Sequence, residues 1–237
     1  MHILAPEGIE FLFRWIHFLA GITWIGMLYY FNFVQTPFFA ETEPGTRMAM
    51  ISKLVPRALW WFRWGAMFTF LSGLAILTMK AHSGAGMAVF QSPYGRAILL
   101  GAALGTFMWA NVWFVIWPAQ KVVITSAQQV AGGGQAIPEA AARGRRAALT
   151  SRTNVVFSVP MLFYMGAASH FPALTASGGP LPMAVTATLA AIILLVEANA
   201  LIGTQGATKK PLDSVSGAIH TGLALTVVFY LVFDLML

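Results

Sequence analysis

The chain of 237 residues contains no cysteine and very few charged residues. Without cysteine it cannot form disulfides, thiolate zinc or iron–sulfur sites, or a c-type haem attached through Cys-x-x-Cys-His. Only 9% of its residues are charged and 58% are hydrophobic, whereas ordinary soluble domains carry about 25% charged residues. Long uncharged runs recur, and they predict a multi-pass membrane protein rather than a soluble domain with an anchor. Any metal or cofactor ligands must be His, Met or carboxylates.

The uncharged runs predict an all-α bundle that forms one domain over residues 1–237. We expect about six membrane-spanning helices, at residues 9–34, 58–80, 97–117, 153–170, 183–204 and 215–237. Pro37 and Pro118 are expected to end the first and third of these helices. The polar segment 119–152 is expected to hold a glycine joint and a basic surface helix, and residues 171–182 an uncharged turn.

Most of the Lys and Arg residues fall in the loops after the first, third and fifth predicted helices. By the positive-inside rule these loops are cytoplasmic, and both termini are then extracytoplasmic. The basic clusters are therefore interpreted as signals of orientation, and no nucleic-acid partner is expected. The predicted location is the bacterial inner membrane, in contact with lipid.

His17 lies within the first predicted span, in the segment Arg14–Gly26. Gly21 follows it by one helical turn and Trp24 by two, on the same face. An ionisable side chain inside a membrane is costly and therefore indicates a function. We interpret His17 as a haem ligand, although it could simply form a hydrogen bond between helices.

His170 is the second candidate ligand, because the predicted topology puts it on the same outer side as His17. Gly166 lies one turn deeper than His170, as Gly21 does for His17, and glycine leaves room for a porphyrin edge. The predicted site is therefore haem b with His17 and His170 as axial iron ligands, His82 being the substitute. Arg14 could pair with a haem propionate or extend outward into solvent. His170 could equally be a solvated residue at the membrane surface.

Glu197 lies in the middle of the fifth predicted helix with no cation nearby in sequence. It could be protonated or belong to a proton or quinone path. Asn111, in the third predicted span, and Asn199, in the same span as Glu197, could hydrogen-bond to it or pack between helices. The sequence leaves these alternatives open.

Four segments, in order, resemble the N-terminal membrane domain of the bacterial membrane-bound urate oxidase (urate hydroxylase) family. Together they cover most of residues 10–172. Their motifs are RWIH (14–17) with GITWIG (21–26), WFRW (61–64) with LSG (71–73), ANV (110–112) with PAQKVV (118–123), and Asn154 with SVPMLF (158–163) and HFP (170–172). In that family the membrane domain commonly precedes a c-type cytochrome that takes up electrons. The resemblance implies a shortened membrane redox domain with a separate c-type cytochrome as its expected partner, because no such domain lies within these 237 residues.

The resemblance also shows departures that affect the substrate. Family members carry histidines in the loop after the first helix and just before the position of Asn154, and neither is present here. The leading hypothesis is therefore electron transfer to or from a c-type cytochrome or respiratory complex on the outer side. The alternatives are oxidation of urate or a related heterocycle, and a non-catalytic structural subunit of a larger membrane electron-transfer assembly.

Overall fold

A computed structural model describes residues 2–176 and 180–237, and every regular element in these ranges is helical. The α-helices are α1 (Pro6–Glu41), α2 (Pro44–Lys53), α3 (Val55–Ala81), α4 (Pro93–Ala131), α5 (Ala140–His170), α6 (Met183–Leu201) and α7 (Val215–Met236). Short 3₁₀ helices occupy His2–Leu4, Gly86–Gln91, Pro172–Thr175 and Ala207–Asp213. Of the turn expected over residues 171–182, residues 177–179 lie outside the described ranges.

Five of the described helices are long and apolar enough to cross a membrane by length and composition: α1, α3, α4, α6 and α7. The structure therefore confirms the prediction of an all-α bundle with helices that are long and apolar enough to cross a membrane. The span predicted at residues 153–170 belongs to α5, which is not among the five. The number of spans and the side of each terminus stay predictions.

Helix α5 occupies the centre of the bundle, where it packs against α4, α6 and α7 and contacts α1. Nearly half of its residues are buried, including the polar side chains of Thr153, Asn154 and Ser158. Because its neighbours cover it, α5 has no need of an apolar surface towards lipid. From the same polarity the sequence predicted a basic surface helix before residue 153 and a separate membrane span after it, whereas α5 is one continuous helix from Ala140 to His170.

The prediction that Pro37 and Pro118 end their helices is wrong, because both helices run through them. Each proline follows a π-helical segment, Tyr30–Gln35 in α1 and Asn111–Ile116 in α4, and lies in the first turn of the next α-helical segment. A π segment shifts the backbone hydrogen bonds from the i→i+4 to the i→i+5 pattern. A proline has no N–H to donate, and it is tolerated in the first turn of an α-helical segment. Helix α4 therefore continues to Ala131, well beyond the predicted end at residue 117.

Candidate functional site

His17 lies in α1 and faces α3, where its imidazole contacts two consecutive residues. Its Nδ1 atom is 3.2 Å from the hydroxyl oxygen of Ser72. A Cβ atom added at Gly73 would lie 3.0 Å from His17 Cε1 and 3.3 Å from Nδ1, so only glycine leaves the ring in this position. The hydrogen bond and the packing fix the orientation of the ring and leave Nε2 as the nitrogen that can take a further partner.

Gly21 and Trp24 lie on the same face of α1 as His17, as the spacing predicted. A Cβ at Gly65 would lie 3.1 Å from the backbone nitrogen of Trp24, so the backbones of α1 and α3 approach each other closely at Gly65. A Cβ at Gly21 would be 3.9 Å from Thr69 Cγ2, which is ordinary contact. Small residues at such positions allow close helix packing in membranes. Trp24 is 2% exposed, and its indole Nε1 has no acceptor in the described part of the chain.

Arg14 lies one turn before His17 and forms an ion pair that the sequence analysis did not foresee. Its Nη2 and Nε atoms donate to Glu10 Oε1 at 2.7 and 3.0 Å, and Lys80 of α3 lies 3.0 Å from the same oxygen. The i,i+4 spacing of Glu10 and Arg14 is the sequence signal that could have found this pair. Two cations share one carboxylate, so the cluster keeps a net positive charge that suits an anionic group.

His170 ends α5 and is exposed, and Gly166 is exposed as well. A Cβ at Gly166 would have nothing within 4 Å, so its surroundings are open rather than tightly packed. No hydrogen bond or ring contact joins either residue to His17 within the described ranges. His82 is also exposed, and its Nδ1 atom is 2.8 Å from the carbonyl oxygen of Thr78, at the end of its own helix.

His17 and His170 nevertheless lie towards the same end of the bundle. The hydroxyls of Tyr29 in α1 and Ser158 in α5 are 2.9 Å apart, and Asn32 Nδ2 donates to Ser151 Oγ at 2.8 Å. These pairs show that α1 and α5 run antiparallel at this contact. His17 precedes Tyr29 by twelve residues and His170 follows Ser158 by twelve, about 18 Å along each axis in the same direction.

A buried polar network joins α4, α5 and α6, and its centre is Asn111 in the π segment of α4. Asn111 Nδ2 donates to Asn154 Oδ1 at 2.9 Å and to Glu197 Oε2 at 3.0 Å. Asn154 Nδ2 donates in turn to the carbonyl oxygen of Met108 at 3.0 Å. Glu197 is only 7% exposed, so the hydrogen bond from Asn111 predicted as one alternative is present.

A second polar cluster, which the sequence did not predict, surrounds Arg152 of α5. Arg152 Nε donates to Asn32 Oδ1 at 2.9 Å, and both residues line a cavity of about 200 Å³ together with Gln35. The polar residues Asn32 and Gln35 within an otherwise apolar helix were the available signal. Gln35 lies eighteen residues beyond His17, about 27 Å along α1, so this cluster lies at the opposite end of the bundle.

Lys209, in the short helix between α6 and α7, stabilises that same end. It is buried, and its Nζ atom donates to Asn199 Oδ1 and to the carbonyl oxygen of Ile202, both at 2.9 Å. Burial lowers the pKa of Lys209 below its usual range, and the positive charges of Arg146 and Arg145 lower it further. Asn199, one of the residues predicted to approach Glu197, is thus held by Lys209.

Comparison with known proteins gives one match. The family model described as urate oxidase N-terminal matches residues 86–232, from the helix Gly86–Gln91 into α7. The matched part includes His170, Arg152 and the Asn111–Glu197 network, whereas α1 with His17 lies outside it. No curated protein matches the chain, and no solved structure does. Among residues 2–176 and 180–237, no three His, Asp or Glu side chains come together as a metal site.

Proposed function

Because the match covers more than half of the chain, the protein belongs to the urate oxidase N-terminal family, and we propose that it is a haem b redox protein of the bacterial inner membrane. In this proposal His17 and His170 would hold the haem iron. The protein passes electrons to or from a c-type cytochrome or respiratory complex at the outer surface.

The observation that carries the proposal is the fixed orientation of His17 within a helix apolar enough to span the membrane. Histidines that bind metals through one ring nitrogen usually form a hydrogen bond with the other, which sets the tautomer and the ring orientation. Ser72 Oγ, 3.2 Å from Nδ1, takes this position. The Nε2 atom is then the ligand atom, and Gly73 provides the space that the ring occupies.

The residues around the two histidines fit a haem in their chemistry. His170 lies at the same end of the bundle, next to open space at Gly166. Arg14, with the net positive charge of the Glu10–Lys80 cluster, suits a propionate. Trp24, which follows His17 on the same face, carries an indole N–H that no described residue accepts from.

A bound haem supplies one-electron transfer, and two histidine ligands leave the iron no open position for a substrate. The protein's own part is to hold both rings, to keep the propionate side near Arg14 and to exclude lipid. This arrangement favours electron transfer over oxygen activation. The proposed partner is a separate c-type cytochrome or a respiratory complex on the outer side.

The visible spectrum of the purified oxidised and reduced protein tests the proposal. We expect a b-type spectrum that His17→Ala and His170→Ala each abolish or strongly change. His82→Ala is the matched control, since His82 is exposed and held by its own helix, and its spectrum should stay unchanged. Loss of the spectrum in His82→Ala but not in His170→Ala would transfer the second ligand to His82.

Gly73→Ala separates a ligand role of His17 from a purely structural one. The added methyl group moves the imidazole but leaves Nε2 present, so the haem should stay bound with a changed spectrum or midpoint potential. An unchanged spectrum and potential would contradict the assignment of His17. Protein that is colourless when purified from haem-replete cells, in fixed ratio with a large complex, would instead favour the structural-subunit alternative.

Family membership favours a second candidate function, oxidation of urate or a related heterocycle with a separate cytochrome c as acceptor. Such an activity needs a substrate pocket apart from an iron that carries two histidines. Turnover of urate by haem-loaded protein with an oxidised c-type cytochrome would support it. Absence of both turnover and a urate-dependent spectral change would exclude it.

A further inference from the structure

Two cations, Arg63 of α3 and Lys121 of α4, lie beside one indole ring, that of Trp117 in α4. The guanidinium carbon of Arg63 is 4.1 Å from the centroid of this ring, and Lys121 Nζ is 5.6 Å from it. The same guanidinium carbon is 5.8 Å from the centroid of Trp113. A contact between a cation and an indole holds the cationic side chain in place without neutralising its charge. The two positive charges are therefore kept close to each other.

No carboxylate balances this pair of cations. Between Glu43 and Glu139 the sequence contains neither Asp nor Glu, so α3 and α4 have none of their own. In the described part of the chain, neither Arg63 nor Lys121 forms an ion pair with a carboxylate of another element. Lys121 is exposed and Arg63 is half-buried. Of the Arg63 nitrogens only Nε is enclosed without an acceptor, so the terminal nitrogens are the ones that a partner from outside the chain reaches.

The pair lies at the end of the bundle opposite His17, at the level of exposed tryptophans. Arg63 precedes Ser72, the residue that contacts His17, by nine positions, about 14 Å along α3. Trp60 and Trp61, which precede Arg63, are both exposed. Tryptophan is enriched where a membrane meets water, and α3 and α4 are both long and apolar enough to cross a membrane. The pair is therefore at the depth of lipid headgroups.

An aromatic wall continues from the pair towards the middle of the membrane. The rings of Trp64 and Trp113 meet edge to face with their centroids 5.6 Å apart. Phe68, one turn further along α3, lies 5.9 Å from Trp64 and is 52% exposed. A molecule with an anionic head and apolar chains matches both the cations and this wall. A soluble anion would contact the cations alone.

We propose that Arg63 and Lys121 form a site for the phosphate of an anionic phospholipid. The phosphate oxygens accept from the terminal nitrogens of Arg63 and from Lys121 Nζ, while Trp117 keeps the two cations together. An acyl chain lies along Trp64 and Phe68. Basic pockets between membrane helices bind lipid headgroups in this manner. The orientation of the chain explains why basic residues gather at this end, but it does not require two of them to share one indole.

Native mass spectrometry of the delipidated protein in detergent tests the site by resolving the first bound lipid. The probes are phosphatidylglycerol, phosphatidylcholine with the same acyl chains, and glycerol 3-phosphate, which has the phosphate without chains. We expect phosphatidylglycerol to bind most tightly and glycerol 3-phosphate not to bind. A basic residue near an anionic headgroup contributes about 1 kcal/mol, so Arg63→Gln and Lys121→Gln should each weaken the first phosphatidylglycerol about fivefold, and together about 25-fold.

Arg57→Gln is the matched control for general attraction between charges. Arg57 is exposed and lies six positions before Arg63, on another face of α3, so its removal should leave the affinity for phosphatidylglycerol unchanged. An equal loss in Arg57→Gln and Arg63→Gln would show attraction to the whole basic surface and would overturn the site. Equal binding of phosphatidylglycerol and phosphatidylcholine would overturn it too.

Lys121→Gln keeps the test decisive if Arg63→Gln fails to fold, because Lys121 is exposed. Phosphatidylglycerol should raise the unfolding temperature of the unchanged chain above its value in phosphatidylcholine. Lys121→Gln should lose most of this gain while its unfolding temperature in phosphatidylcholine stays the same, a combination that a purely structural lysine would not give. A full gain in Lys121→Gln, or binding of glycerol 3-phosphate as tight as that of the lipid, would refute a phospholipid site.

Discussion

The contact between α1 and α3 predicts the order of stability of three glycine-to-alanine variants. At Gly65 the backbones of the two helices approach each other closely: a Cβ there would be 3.1 Å from Trp24 N and 3.3 Å from the carbonyl oxygen of Ala20. Both neighbours are backbone atoms, so α1 as a whole must shift by a few tenths of an ångström. A Cβ at Gly21 meets only Thr69, at 3.9 Å, and one at Gly166 meets nothing within 4 Å.

The expected magnitudes follow from two opposing terms. Replacing glycine by alanine inside a helix gains about 0.8–1.0 kcal/mol, and overpacking a tight contact costs about 1–3 kcal/mol. Gly65→Ala should therefore lower the free energy of unfolding by up to about 2 kcal/mol. Gly21→Ala and Gly166→Ala lack the overpacking term and should each gain up to about 1 kcal/mol.

Thermal unfolding of the three variants in one detergent measures this order. At about 2–4 °C per kcal/mol for a chain of this size, Gly65→Ala should unfold several degrees below Gly21→Ala. Gly166→Ala serves as the control for helix propensity alone. If Gly65→Ala unfolds at the same temperature as the other two or above them, α1 and α3 do not approach each other as described.

Three further changes have expected outcomes that simple measurements check. Asn111→Leu removes the donor shared by Asn154 and Glu197, and should cost about 1–3 kcal/mol in chemical unfolding; a neutral result would mean that the network is not formed. Pro118→Ala should leave the helical circular dichroism unchanged, because α4 already continues to Ala131; a gain of helix would restore Pro118 as a helix end. The lowered pKa of Lys209 means that the unfolded chain holds more protons between that pKa and about 10.4. The free energy of unfolding should therefore rise with pH across this window, and Lys209→Met should lack the rise.

The apolar runs alone predicted an all-helical bundle with membrane-spanning helices, because an uncharged run of about 20 residues has the length of a transmembrane helix and exceeds that of a barrel strand. Composition also placed His17 within the first span and Gly21 and Trp24 on its face, since these follow from helical periodicity. The continuation of α1 through Pro37 and of α4 through Pro118 could not be derived in this way. A proline usually interrupts a regular α-helix, although α5 continues through Pro160. The π segments that precede Pro37 and Pro118 place each of them in the first turn of the next α-helical segment.

The tertiary structure alone decided which polar groups meet. Arg152 and Asn32 are 120 positions apart, so no local pattern relates them, and an unpartnered atom such as Gln35 Oε1 is recognised only once its surroundings are known. The same holds for His17, whose ring orientation depends on Ser72 and Gly73 of another helix. Hydrophobicity is a property of the segment, so the sequence identified the five helices that are apolar enough to cross a membrane, but it also counted part of the central helix α5 as a sixth. Packing determined which face of each segment meets which neighbour, because that depends on all the helices at once.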